Sequence, residues 1–305
     1  MSKTAFLFPG QASQFVGMGQ DIYNKCTIAP KYYDLAEEVF DFSLKELSFF
    51  GPIKELTQTK VTQPAIFVHS IAMFEELKNK GFQPHMVAGH SLGEYSALVA
   101  AETLAFEQGL QLVKLRAEQM QAATENNAGS MAAIVGLNIK KIRKVLEKSE
   151  KSGICKIANH NSPNQIVISG ETPAVQSAML ELKKAGARLA IELTVGGAFH
   201  SPLMEKAKEK LINALNSTEF QKPKYPIYSN VSGTATVNPT EIKLRLCDQL
   251  TSPVLWVDTI TNMINDGATN FIEVGPNKIL QGLVKRIDKK IQIKGVSSFK
   301  DLERF

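Results

Sequence analysis

The sequence predicts an α/β fold: a mostly parallel sheet covered by helices on both faces, with a smaller sheet unit inserted into it. Three observations predict this. Short apolar runs ended by glycine or proline alternate with longer stretches of helical period, as when strands return through helices to a parallel sheet. One such run, Met86-Val87-Ala88, leads into Gly89-His90-Ser91-Leu92-Gly93 and then into residues that suit a helix, giving a strand, a sharp turn and a helix. Between residues 127 and 196 the order becomes β-α-β-β-α-β, the split-βαβ or ferredoxin-like arrangement. The expected division is residues 1–126 and 197–305 for the large catalytic unit and 127–196 for the small one.

Composition narrows the class. The chain has 305 residues, enough for one large domain or two smaller ones. At 44% hydrophobic and 21% charged it reads as an ordinary soluble globular protein. No apolar run approaches the ~20 residues of a membrane span, and the start, MSKTAFLFPGQ, has too short an apolar core for a signal peptide. Cys26, Cys155 and Cys247 are scattered and odd in number, which fits a reducing cytoplasm better than a disulfide framework. No pair has metal-ligand spacing, so no metal is expected. The net charge of +5 comes without an arginine-rich block interleaved with aromatics. That argues against nucleic acid and leaves room for an acidic partner.

In chain order, Lys3–Phe8 (KTAFLF) is a compact apolar run stopped by Pro9-Gly10 and reads as the first buried strand. Residues 28–50 have helical period and are broken by Gly51-Pro52. Thr62-Gln63-Pro64 opens a helix over 65–80, with Pro64 near its first position, and Gly81 to Pro84 returns the chain to the strand before Ser91. Helices are expected over 94–101 and 106–124. In the small unit, 131–137, 154–158, 165–169 and 187–195 read as strands, and 139–149 and 172–184 as helices. Beyond it, 203–215, 241–250, 257–266 and 280–287 are helical in pattern, while 227–230 and 269–274 are strands.

The chemistry starts at Ser91. On so tight a turn, side chains two residues either side would collide, which accounts for Gly89 and Gly93. The turn presents the Ser91 hydroxyl at the strand's carboxyl end, and the Leu92 N–H points at the same spot, where it can serve an oxyanion. The alternative is a glycine-bounded turn with an ordinary serine. A serine nucleophile needs a base at neutral pH. Of five histidines, His69 sits in an apolar helix and reads as packed core, His85 as structural, and His90 as the holder of a structural hydrogen bond. His160 lies between Asn159 and Asn161 and reads as a cleft residue. His200 occupies a glycine-rich loop where the chain re-enters the large unit and is the best base; the alternative is a loop histidine without catalytic role. No acid stands out to orient it. Asp248 and Gln249 lie near a helix end, and a backbone carbonyl accepting the Nδ1–H bond would fix the tautomer equally well. A second oxyanion donor is expected from Gly10-Gln11 after the first strand, unless that loop is a simple turn. Arg116, in Leu112 to Ala117, is either salt-bridged or a bidentate clamp for a substrate carboxylate.

Taken together these residues resemble a known family. FPGQ at 8–11, GHSLGEYSAL at 89–98, Arg116, the Asn-Ser-Pro turn with QIVISG at 165–170, GAFHSPLM at 197–204, QLTSPVLW at 249–256 and EVGP at 273–276 are similar to the malonyl-CoA:acyl carrier protein transacylases, in order and over nearly the whole chain. The resemblance implies an α/β-hydrolase-like large domain with a ferredoxin-like small one. It implies Ser91 as the acylated nucleophile, His200 as its base, and the Gln249 carbonyl as orienter. It implies Gln11 and Leu92 N–H groups as the oxyanion hole and Arg116 as holder of the malonate carboxylate. Phe199 would restrict the pocket to unbranched malonyl, and Asn159 and Asn161 would line the cleft near the pantetheine arm. Malonyl-CoA and an acidic acyl carrier protein are the implied partners, with no cofactor of the enzyme's own, and a monomer is expected. Two positions depart from the pattern: Ala12, where many relatives carry glycine, and His160, at a site more often apolar or aromatic. Three rivals use much of the same framework: an acyl hydrolase, a non-catalytic carrier-binding module, and a trans-acting malonyltransferase of a polyketide synthase.

Overall fold

The structure is a computed structural model and describes residues 2–126, 129–148, 153–194 and 196–305. The strands are β1 (Lys3–Phe8), β2 (Met86–Gly89), β3 (Gly129–Val135), β4 (Cys155–Ser162), β5 (Gln165–Glu171), β6 (Leu189–Glu192), β7 (Ile227–Tyr228), β8 (Ala235–Thr236), β9 (Ala268–Val274) and β10 (Gln292–Val296). They form a six-stranded sheet in the order β10-β9-β1-β2-β7-β8 and a four-stranded sheet in the order β4-β5-β3-β6. In the large sheet every pairing is parallel except β7 with β8. In the small sheet every pairing is antiparallel, and two helices, Ile139–Lys148 and Thr172–Lys184, complete the βαββαβ order. This is the two-unit α/β architecture that the sequence predicts.

β1 and β2 sit at the centre of the large sheet and are buried along nearly their whole length. A parallel sheet of this kind opens a crevice at the carboxyl ends of its strands, where connections leave in different directions. The loops after β1, β2 and β7 all emerge there, which brings Gln11, Ser91 and Asn230 to one end. Two long helices, Thr59–Asn79 and Phe106–Asn126, pack side by side against this region. The small sheet is stitched to the large unit at Val254. Its N–H donates to the Ala158 carbonyl at 2.8 Å, and its carbonyl accepts from His160 N at 2.9 Å.

Several local expectations need correction. The stretch 28–50 is two helices, Ala29–Glu37 and Leu44–Phe49, because Ser43 caps the second by accepting from Glu46 N at 3.1 Å. The helix expected from residue 65 begins at Thr59, so Pro64 lies inside it. Proline there removes the donor to the Lys60 carbonyl; Lys60 is exposed in the helix's first turn, while the rest of the helix is almost wholly buried. The strand expected over 154–158 runs on to Ser162 with two register irregularities against β5, which puts Asn159, His160 and Asn161 on a strand. The last strand of the small unit is shorter than expected, Leu189–Glu192; Val195 lies outside the described residues, as do Asn127 at the expected unit boundary and Ser149. β8, β10 and the short helix Gln20–Lys25 went unpredicted. β10 is an edge strand of mixed polarity (QIKGV), which carries no clear apolar alternation.

Candidate active site

Ser91 follows β2 directly, and its φ of +52° is the left-handed backbone that an elbow demands. The flanking glycines are required by close approach. A Cβ on Gly89 would overlap the backbone of Gly93, and one on Gly93 would overlap the Phe8 carbonyl. The loop after β1 therefore lies directly against the elbow. Gly93→Ala is expected to lower the melting temperature by about 2 to 5 °C, since backbone overlap of this kind costs on the order of 1–3 kcal/mol. Thermal unfolding checks it, and an unchanged midpoint would remove the packing argument.

Ser91 Oγ lies 2.8 Å from His200 Nε2 and 3.0 Å from an Arg116 terminal nitrogen. His200 Nδ1 faces two backbone carbonyls, Gln249 at 2.9 Å and Ser252 at 3.1 Å. Both can only accept, so Nδ1 carries the hydrogen and Nε2 turns its lone pair to the serine. Burial first, and then the Arg116 charge, push the His200 pKa down to about 3, which keeps the imidazole neutral with its Nε2 lone pair free. His200 also has positive φ, +56°, in the loop that re-enters the large unit.

Arg116 is 1% exposed. Among the described residues no carboxylate lies within ion-pair distance of it. Its guanidinium donates instead to two neutral amides, Gln63 Oε1 at 2.6 Å and Gln249 Oε1 at 3.1 Å, and sits over the Tyr95 ring. The Gln249 side-chain nitrogen donates to the Ser91 carbonyl at 3.0 Å and to Glu94 Oε2 at 2.7 Å. Asn230, at the end of β7, locks the elbow from the other side: its Oδ1 accepts from Ser91 N at 2.6 Å and its Nδ2 donates to the Gly89 carbonyl at 2.6 Å. Gln249 is thus used twice, once through its main chain and once through its amide.

These residues open onto a cavity of about 210 Å³ between the two units. Gln11, Leu92, Ser91, Arg116, His200, Phe199, Asn159 and Asn161 all border it, so the structure brings every sequence-predicted site residue except Gln249 to its wall. Gln249 lies behind Arg116 and His200. Leu92 stands at the start of the elbow helix Gly93–Ala100, whose amino end faces the same space. Asn159 and Asn161 share one face of β4. The intervening His160 turns away toward Asp258, at 3.9 Å, so it is not a residue of this cavity. Asn161 Oδ1 pairs with His90 Nε2 at 2.8 Å, and His90 packs edge-on to Trp256, the structural use expected for that histidine. His69 is fully buried, and His85 Nδ1 accepts from Thr4 N at 3.2 Å. Asp248 binds Lys208 at 3.0 Å and takes no part in orienting His200. Gln63, Glu94, Asn230 and Ser252 were missed from sequence. The only signals available were a polar Gln63 inside a buried apolar helix and a carboxylate in the motif itself.

A neutral imidazole on a half-buried serine at an elbow, with a buried cation 3.0 Å from the hydroxyl, belongs to an acyl-transfer enzyme of the α/β type. Among curated relatives, the malonyl CoA-acyl carrier protein transacylase of Bacillus subtilis (strain 168) is 43% identical over 304 residues, 99% of this chain and 96% of that one. The acyl carrier protein S-malonyltransferase of Vibrio cholerae superposes with a TM-score of 0.96 at 39% identity, covering 99% of both chains. A malonyl-transacylase solved in complex with its type II PKS acyl-carrier protein gives 0.95 at 36% identity, covering 99% of this chain and 98% of that one. The chain belongs to the acyl transferase domain family, which matches residues 5–299, and within it to the malonyl CoA-acyl carrier protein transacylases.

Proposed function

We propose that the protein moves a malonyl group from malonyl-CoA to the phosphopantetheine thiol of an acyl carrier protein through a malonyl ester on Ser91. The observation that carries this reading is Arg116: a buried cation beside the nucleophile with no carboxylate in direct contact among the described residues, at the place a free acyl carboxylate would reach. An esterase for neutral acyl chains has no use for it. Ser91 Oγ attacks the thioester carbonyl while His200 Nε2 takes its proton, and the Gln11 and Leu92 N–H groups stabilise the oxyanion. CoA leaves with the proton from His200. The carrier thiol then gives its proton to His200, attacks the ester and regenerates Ser91, a ping-pong cycle. Phe199 narrows the acyl end of the cavity, and Asn159 and Asn161 border the path of the pantetheine arm. The whole site comes from one chain, which supports action as a monomer. The three cysteines are free thiols, which supports a reducing cytoplasm. Fatty acid synthesis is the pathway this activity supplies; a trans-acting polyketide partner uses the same chemistry, and relative rates with the two kinds of carrier protein separate them.

Intact mass after exposure to malonyl-CoA is the direct test. A stable adduct on Ser91, discharged by holo carrier protein, supports transfer. Rapid release of free malonate without an adduct would establish a hydrolase, and full activity in Ser91→Ala would overturn the covalent route.

Carrier proteins of this kind are acidic, and a groove beside the cavity mouth is lined by Arg188, Arg286 and Lys289. Gln165 borders both the groove and the cavity, and Arg286 holds its side chain at 2.7 Å. Lys206, Lys210 and Lys290 are exposed elsewhere on the basic surface, while Lys208 and Lys285 are held by Asp248 and by backbone carbonyls. Lys289→Glu is expected to raise the carrier-protein KM about 3- to 10-fold and to leave malonyl loading nearly unchanged. Steady-state kinetics with the two substrates varied separately reads this out, and an unaltered KM would place docking elsewhere.

A further inference from the structure

Glu94 is a carboxylate with no place in the steps above. It is 2% exposed, on the elbow helix, three residues after the nucleophile. Its Oε2 accepts from Gln249 Nε2 at 2.7 Å and from Asn230 N at 3.2 Å. Gln249 in turn offers Oε1 to Arg116 at 3.1 Å. A single amide therefore separates the buried cation from a buried carboxylate. Its orientation is fixed from both ends: turning it over would set donor against donor at Arg116 and acceptor against acceptor at Glu94. With Glu94 ionised the free site is neutral overall. A malonyl carboxylate arriving on Arg116 adds a second negative charge to the same dry region, where an uncompensated charge is disfavoured.

We propose that Glu94 is a positioning residue acting through Gln249: it balances Arg116 in the free enzyme and takes up a solvent proton when the malonyl carboxylate replaces it as the counterion. This rests on the reading of Arg116 as the carboxylate clamp. Ester formation between Ser91 Oγ and the malonyl carbon, with loss of the C–S bond, sends the serine proton through His200 to the CoA sulfur. The proton on Glu94 is a separate one from solvent, and it returns to solvent when the carrier thiol removes the malonyl group. Burial is the first cause that lifts the Glu94 pKa, to about 7 in the free enzyme, against lowering by bonds from Gln249 and Asn230 and by the Arg116 charge. Among the described residues the other ionisable groups around this network are Tyr95 on the same helix, Cys247 from the helix Pro239–Asp248, and His200, itself close to His90; Tyr95, His200 and Arg116 are all buried. None of them is placed between Glu94 and the Gln249 amide.

The sign follows from linkage. The malonyl-enzyme binds one proton more than the free enzyme above pH 7, so the malonylation equilibrium falls as pH rises, by up to tenfold per unit. Transfer onward to the carrier gains correspondingly. The test is proton uptake in weakly buffered solution at pH 7.5, followed with an indicator dye as the full-length enzyme is loaded from malonyl-CoA or from acetyl-CoA. Both release the same thiol, so their difference isolates the carboxylate's effect. An uptake of several tenths of a proton per malonyl adduct, above that for acetyl, is expected; zero difference would overturn the proposal. Glu94→Gln keeps an acceptor for Gln249 and Asn230 and removes the charge. It is expected to abolish the extra uptake and to flatten the malonylation equilibrium between pH 7 and 8. A pH dependence that survives in Glu94→Gln would also overturn it. If instead malonyl and acetyl load alike in the unmodified enzyme, the clamp reading itself has failed, which is a different outcome.

Discussion

His200→Ala is expected to form malonyl-Ser91 about 10³-fold more slowly than the unmodified protein, with the fold intact. The size follows from general base catalysis, which contributes on the order of 10² to 10⁴ when geometry is already set. The geometry here is set: a 2.8 Å contact to Ser91 Oγ and a tautomer fixed by the Gln249 and Ser252 carbonyls. Neutral carbonyls hold the ring without offering a full negative charge, so imidazolium gains less than beside a carboxylate. The oxyanion that forms in the same step supplies that charge. Because the folded pKa is pushed to about 3, His200 stays neutral, its Nε2 lone pair free for the serine proton, well below the usual imidazole range. Its neutral form contributes stability above pH 6.5 that is lost as pH falls toward 3, since the unfolded chain binds the proton first. Single-turnover loading followed by mass spectrometry is therefore expected to show no acid limb between pH 5 and 6.5. A limb centred near 6.5 would mean a solvated, ordinary histidine, and an unimpaired His200→Ala would remove it from the mechanism.

The parts of this molecule that were legible in sequence are those written in consecutive residues. The elbow is one: Gly89 and Gly93 are both demanded by backbone contacts inside a five-residue turn, so the motif and the geometry are the same fact. The βαββαβ order is another, because its elements, the mostly exposed last strand apart, bury a face within the small unit itself. The helix through Pro64 departs from its local pattern: proline chemistry argues for a start there, whereas burial of Thr59, Val61, Thr62 and Gln63 carries the helix back to Thr59. The network behind the nucleophile was illegible for a different reason. Gln63, Glu94, Arg116, Asn230 and Gln249 come from five separate elements, and each is an unremarkable polar residue until the others surround it. The Gln249 carbonyl was anticipated through the family resemblance; its side chain, which joins Arg116 to Glu94, was not.

Arg116→Ala is expected to lower kcat/KM for malonyl-CoA by roughly 150- to 5000-fold while changing loading from acetyl-CoA by less than about tenfold. Removing one partner of a buried charge pair costs on the order of 3–5 kcal/mol, which converts to that range. In the free enzyme the guanidinium meets Glu94 only through the Gln249 amide; the direct pair forms when the malonyl carboxylate reaches it, so the loss falls chiefly on the substrate that carries the anion. Acetyl-CoA brings no charge. For it the variant loses only the 3.0 Å contact from the guanidinium to Ser91 Oγ, which competes for the same lone pairs that make the oxygen nucleophilic. The vacated space leaves the Gln63 and Gln249 carbonyl oxygens facing the cavity, where water can satisfy them, so the fold is expected to survive. Arg116→Lys is no rescue in this frame: a single ammonium cannot reach both amides and also present two parallel donors to a carboxylate. Paired measurements of malonyl- and acetyl-CoA loading decide the point. A ratio that stays constant across the unmodified protein, Arg116→Ala and Arg116→Lys would mean that the arginine only supports the elbow, and selection for a carboxylate-bearing thioester would then have to come from another wall of the cavity.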